Sequence, residues 1–436
     1  MVKPFSLSEP EAESNDLFEQ NIRASGFRYQ ETDIGDITFK AGQTEAVHRW
    51  YRLTPSYSPS LVRFLIAELG INTNHFVVDP FSGRGTTVIE AQKQGIRALG
   101  IEINPLLQQV GDQSLIWEVN HLALVQDYLT ELANQLQCHQ SYTVEQTVEQ
   151  LQTKIPIIYN VFRWWQPSTL KDLIICREIM LHPTYSPIQP FLWLALNQAC
   201  LDCANIHRNH PTITFDDNHQ RQINVYEAVD KNLKIISTDL NQLGTQCQYS
   251  KLNAVKLGDS TQLHAQVDQS IDMIVTSPPY PNRYSYVHQT RPQLYFMELL
   301  DHARQATEID LQAIGGTWGR ATSVLQHNLI EPPAEIRPYL CYYDHLQSRS
   351  TLMCNYATKY FIDLWRHIQS LNAVKSQPFR GAYVVGNSRL SGVEIFTEVI
   401  LGQLFEQTGF EVEKIVGFRK RGGKKRLYET AILIRS

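Results

Sequence analysis

The sequence predicts an α/β chain with a terminal antiparallel hairpin and a largely helical insertion. Three observations predict it. Short apolar, strand-like runs alternate with helix-like stretches over about 45–110 and again from about 253. Between them, residues 111–250 are rich in Gln, Leu and Trp and carry helical patterning instead. Near the end, two apolar runs, 412–418 and 427–434, flank a basic Gly-Gly turn, the pattern of a β-hairpin.

The elements follow in chain order. Residues 1–40 begin acidic and polar (Glu9, Glu11, Glu13, Asp16, Glu19) and are expected to form a loosely held extension. Ser58-Pro59 opens a helix: serine is a good N-cap, proline suits the first turn, and Gly70 suits the end. An apolar strand at 76–78 runs into Asp79-Pro80-Phe81-Ser82-Gly83-Arg84-Gly85-Thr86-Thr87, and a helix over 88–94 stops at Gly95. The next strand, 97–101, ends in Glu102, followed by Asn104-Pro105. Helices are expected at 122–136, 170–180, 190–204 and 226–243, which makes the insertion large enough for a separate unit. The α/β rhythm resumes with a short strand at 253–256 and a second at 272–275. The stretch from about 300 to 375 reads as a second, irregular insertion, and 381–386 as a strand. A helix over 393–407 precedes the hairpin. The domain reading is therefore a catalytic unit of 41–110, 251–300 and 376–436, interrupted by 111–250 and 301–375.

Two runs carry chemistry. Strand, glycine loop and helix start at 76–94 form a nucleotide cradle: glycines let backbone approach a ligand, and the helix N-terminus offers free N–H groups. The run lacks the third glycine of a dinucleotide fingerprint and the Gly-Lys-Ser/Thr of a triphosphate loop. Glu102, at the tip of the second strand, is placed to accept from two ribose hydroxyls. The other run is Thr276-Ser277-Pro278-Pro279-Tyr280, a strand ending in a rigid turn. Its two prolines fix the backbone and remove two N–H donors. What remains is a set of carbonyl and hydroxyl acceptors beside an aromatic face, the equipment for gripping a flat base by an exocyclic amine.

With both runs in view, the chain resembles the S-adenosylmethionine-dependent amino-methyltransferases, and within them the DNA enzymes that modify cytosine N4. The family's Asp-Pro-Phe-x-Gly-x-Gly-Thr cofactor loop is matched by Asp79 to Thr86, and its catalytic (Asp/Asn/Ser)-Pro-Pro-(Tyr/Phe) tetrapeptide by Ser277 to Tyr280. The serine form is typical of N4-cytosine members and the aspartate form of N6-adenine members. The resemblance implies a Rossmann-like methyltransferase sheet ending in an antiparallel hairpin. It implies S-adenosylmethionine as cofactor, held by Asp79, Phe81, Gly83, Gly85, Thr86 and Glu102, with Asp259 and Ser260 at the adenine ring. It implies catalysis by Ser277, Pro278, Pro279 and Tyr280 on a flipped base, with direct in-line transfer and no cysteine nucleophile. The motif order here is loop first and tetrapeptide second, whereas many N4-cytosine members run the other way. Two readings of the same chemistry stay open: adenine N6 of DNA, and a base amine of RNA.

The candidate partners are duplex DNA and a cognate restriction endonuclease, with the oligomeric state left open. The net charge of −5 makes the molecule as a whole no polycation, but a local basic surface suffices for DNA. The hairpin tip supplies one in Arg419, Lys420, Arg421, Lys424, Lys425 and Arg426, and Arg283 follows the tetrapeptide. Tyr284 and Tyr286 are expected to line the base pocket. The seven cysteines are scattered, and Cys200-x-x-Cys203 with His207 and His210 lacks the spacing of a zinc finger, so no metal is expected. An odd cysteine count, no leader-like start and no apolar run of spanning length point to a cytoplasmic protein without a membrane segment.

Overall fold

The computed structural model describes residues 14–35, 37, 42–53, 56–118, 120–207, 213–216, 223–243, 253–316, 320–421 and 427–436. Its centre is an eight-stranded sheet. In chain order the strands are β1 (Tyr29–Glu31), β2 (Phe76–Asp79), β3 (Arg97–Glu102), β4 (Ala254–Leu257), β5 (Ile271–Thr276), β6 (Lys375–Gly386), β9 (Glu411–Arg421) and β10 (Leu427–Arg435). A separate two-stranded ribbon pairs β7 (Ser388–Leu390) with β8 (Val393–Ile395). The sheet order is β1-β9-β10-β6-β5-β2-β3-β4. Strands β6, β5, β2, β3 and β4 are mutually parallel, while β10 is antiparallel to both neighbours. This is a Rossmann-like, mostly parallel sheet ending in an antiparallel hairpin, as the sequence predicts.

The central strands, β2, β3 and β5 among them, are buried on both faces, as a sheet covered by helices on two sides requires. Alternation sends Val77, Ala98, Val275, Val384 and Leu433 into one core and Val78, Leu99, Ile274, Val385 and Ile432 into the other. The first core is packed by the helices Pro59–Glu68, Thr86–Lys93 and Pro105–Gln113, the second by Thr351–Asn372 and Thr397–Gln407.

The insertion is helical as expected, with helices at Leu124–Cys138, Pro167–Met180, Gln189–Asp202 and Val225–Leu243. It does not build a core of its own. Tyr128, Leu173, Leu196 and Leu240 belong to the same apolar cluster as Val77 and Val88. Asp239, buried on the last of these helices, accepts from the Trp50 indole N–H at 2.8 Å and from the Val47 N–H at 3.1 Å.

Three local expectations change. Residues 14–31 of the acidic start form a helix (Ser14–Ala24) and β1, which pairs parallel with β9 as the edge of the sheet. The stretch read as irregular contains the 22-residue helix Thr351–Asn372, which covers the sheet on the way from β5 to β6. Residues 393–395, read as helix, are β8; the helix starts at Thr397.

Candidate active site

The strand order reverses direction at β2: β3 lies on one side of it and β5 on the other. In such sheets the crevice opens at the carboxyl ends of the strands flanking this switch point. Both sequence motifs sit there, one leaving β2 and one leaving β5. They border a single cleft of about 240 Å³.

The glycine loop is held from behind. Asp79 is fully buried, and its carboxylate accepts from the Phe81 N–H at 3.1 Å, the Thr276 hydroxyl at 2.5 Å and the Tyr57 hydroxyl at 3.2 Å. Burial raises its carboxyl pKa, against the pull of these donors. Gly83 and Gly85 take φ of 53° and 87°, a region that only glycine enters without strain. A Cβ on Gly85 would also press on Gly111 at 3.1 Å. Gly85 caps the helix Thr86–Lys93, so that helix starts at the loop's end.

Glu102 ends β3 and accepts from the Gly83 N–H at 2.8 Å and the Asn104 N–H at 2.9 Å. Burial in the cleft wall pushes its carboxyl up to about 7. Asn104 in turn caps the helix Pro105–Gln113. Asp259 accepts from both the N–H and the hydroxyl of Thr261 at 2.8 Å, which shapes the turn carrying Ser260. The Ser260 carbonyl accepts from His367 Nδ1 at 2.9 Å, and His367 Nε2 meets the Tyr383 hydroxyl at 2.8 Å. Burial pushes His367 down to about 4, so the ring is neutral, with Nδ1–H donating and Nε2 accepting. Phe81 packs edge-on against the same imidazole at 4.9 Å.

The tetrapeptide forms the facing wall. Ser277 donates its hydroxyl proton to the Val384 carbonyl at 3.2 Å, which leaves its oxygen as an acceptor. Tyr360 donates to the Pro279 carbonyl at 2.8 Å, and Pro278 lines the cleft. Tyr280 donates to the buried Glu429 carboxylate at 3.0 Å.

Of the residues expected from sequence, Phe81, Gly83, Thr86, Glu102, Asp259, Ser260 and Ser277 through Tyr280 border this one cleft. Asp79 and Gly85 stand behind it. Tyr286 also lines it, and Tyr284 packs on Tyr286 at 5.0 Å between ring centres. Arg283 is exposed beside it, with φ of 59° and its N–H on the Tyr356 hydroxyl. Arg419, Lys420 and Arg421 lie at the end of β9. Lys424, Lys425 and Arg426 lie outside the described residues, as does His210. Among the described residues no group of three or more His, Cys, Asp or Glu is arranged to hold a metal ion, and no helix is long and apolar enough to cross a membrane. Sequence reading missed Glu429, His367, Tyr360 and Tyr57. Glu429, His367 and Tyr360 are far along the chain from the motifs they support, and no local pattern marks any of the four.

The cleft fits S-adenosylmethionine. Glu102 presents a desolvated carboxylate to the cleft as an acceptor for a ribose diol, Gly83 and Gly85 hold the positive φ that lets backbone line the loop, and a second carboxylate at Asp259 lies within the same walls.

Comparison with known proteins agrees. A family described as DNA methylase matches residues 34–110, which include the whole glycine loop and Glu102. The Type II methyltransferase M.BsoBI of Geobacillus stearothermophilus is 27% identical over 60% of this chain, and the match spans 54% of that enzyme, about half its length. The Type II methyltransferase M.AvaI of Nostoc sp. is 22% identical over 92% of this chain and 87% of its own. M.MvaI of Kocuria varians, also a Type II methyltransferase, is 20% identical over 88% and 86%. Among solved structures the likeness is loose: the rRNA methyltransferase aviRa of Streptomyces viridochromogenes overlays with a TM-score of 0.31 at 9% identity, over 93% of this chain and 96% of that one. Residues 34–110 thus match the DNA methylase family, most of the chain is similar to Type II methyltransferases, and the methyl donor of such enzymes is S-adenosylmethionine.

Proposed function

We propose that this chain transfers a methyl group from S-adenosylmethionine to the exocyclic N4 amine of cytosine in double-stranded DNA, with the target base turned out of the helix. The observation that carries this reading is the Ser277 hydrogen bond to Val384. It orients the serine oxygen as an acceptor, the form needed to take an N–H from an amine.

Turning the base out costs roughly a few kcal/mol in stacking and pairing. In this reading Tyr280 stacks on the ring, while Ser277 Oγ and the Pro278 carbonyl accept from the amine. Those hydrogen bonds draw the nitrogen toward tetrahedral geometry and aim its lone pair. Much of the rate then comes from orientation. Phe81, Glu102, Asp259 and Ser260 hold the donor, with Glu102 accepting from the ribose hydroxyls. The donor supplies an electrophilic methyl on a sulfonium.

The relatives are Type II methyltransferases, which supports DNA as the substrate and a cognate restriction endonuclease as the partner in a cytoplasmic modification system. Arg283, the basic residues of the β9–β10 hairpin and the 111–250 insertion are the surfaces proposed to meet the duplex, with 301–375 as the other candidate for reading sequence. The test is to offer labelled S-adenosylmethionine with either unmethylated plasmid or total RNA. Label in the plasmid supports the proposal; label in RNA alone would falsify it.

A further inference from the structure

Glu429 is a carboxylate on the third residue of β10, a strand that is otherwise buried mostly through apolar residues: Ala431 and Leu433 on its own side, Ile432 and Ile434 beside Thr430 on the other. It is 4% exposed and borders the cleft. Burying a carboxylate in such a strand is unfavourable unless strong partners compensate. Two features of the fold bring it here. Because β10 runs antiparallel to β6, its first residues lie beside the carboxyl ends of β6 and β5, where the cleft opens; Glu429 pairs with Gly386. On the other side the register shifts between Glu429 and Thr430, which pair with Arg419 and Gly417, so Phe418 is the extra residue of a β-bulge. Bulges recur beside active sites, and here the extra residue is on β9, next to Glu429's partner. The Glu429 carboxylate accepts the Tyr280 hydroxyl proton at 3.0 Å.

We propose that Glu429 is the positioning residue that sets the Tyr280 ring in the plane on which the target base stacks. The proposal rests on the base-binding reading of the tetrapeptide given above and adds a residue to it. A tyrosine ring swings about two side-chain torsions. Pro278 and Pro279 fix its backbone but not those torsions, and a charge-assisted hydrogen bond at the far end of the ring fixes them.

The test is a double-mutant cycle on methyl transfer to unmethylated plasmid, with donor affinity measured by calorimetry on the same variants. Glu429→Ala and Tyr280→Phe are each expected to lower kcat about tenfold, and the double variant no further than either alone. Glu429→Gln, which keeps an acceptor oxygen, is expected to recover most of the loss. Donor affinity and the thermal midpoint stay close to wild type throughout, which separates positioning from a folding defect. Additive losses of about a hundredfold in the double variant, or a Glu429→Ala protein as fast as wild type, would overturn the role of Glu429 alone. A wild-type protein that transfers no methyl to DNA would overturn this role together with the function on which it rests.

Discussion

Thr276, the last residue of β5, donates its hydroxyl to Asp79, the last residue of β2, at 2.5 Å. One hydrogen bond thus ties the glycine loop to the tetrapeptide across the switch point of the sheet. Asp79 does not line the cleft; it holds Phe81, Thr276 and Tyr57 in mutual register behind it. Thr276→Val is therefore expected to destabilise the fold by about 1–3 kcal/mol, because a buried carboxylate loses a donor. Thr276→Ser should cost much less. Chemical denaturation of the two variants measures the difference.

Truncation at the tetrapeptide should separate chemistry from donor binding. Tyr280→Ala and Ser277→Ala are expected to abolish or strongly reduce transfer while donor affinity, measured by calorimetry, changes little. A loss of donor binding equal to the loss of transfer would contradict the division of the cleft into a donor wall and a base wall.

The proposed role of Glu102 predicts that donor binding is pH-dependent. In the free protein burial holds its carboxyl up at about 7. In the proposed complex the ribose hydroxyls donate to the ionised form, so binding is expected to lower that pKa. The sign follows: affinity is full above pH 7 and falls by up to about tenfold per unit as pH drops below it. Glu102→Gln should bind the donor more weakly at pH 8 and lose this pH dependence. A Glu102→Gln protein that keeps the wild-type profile would assign the titration to another group.

Charge removal at Lys424, Lys425 and Arg426 is expected to weaken binding of all duplexes alike. The slope of log affinity against log salt should fall by about 0.9 for each phosphate that is no longer neutralised. A change in sequence preference, measured on a panel of duplexes, would mean that the hairpin reads bases instead.

The two motifs were legible because each is a local chain property: glycines that allow positive φ at 83 and 85, and prolines that stiffen 278 and 279. The sheet around them was legible for the same reason, since short apolar strands and capped helices announce themselves within a few residues. The supporting residues were not. Glu429 meets Tyr280 across 149 residues, and Tyr360 meets Pro279 across 81. Such pairs follow from strand order and register, which periodicity does not encode. The helix Thr351–Asn372 escaped because it is buried over most of its circumference, so Tyr356, Tyr360 and Phe361 blur its apolar stripe. The strand β1 escaped because its three residues are polar and mostly exposed, as an edge allows.

The role proposed for Ser277 to Tyr280 is to grip cytosine and deliver its N4 to the donor. The most direct measurement is the identity of the modified nucleoside after the protein has acted on unmethylated plasmid DNA, read by mass spectrometry of the digest. The expected product is N4-methylcytosine, absent with Ser277→Ala and Tyr280→Ala. N6-methyladenine as the product would contradict the assignment.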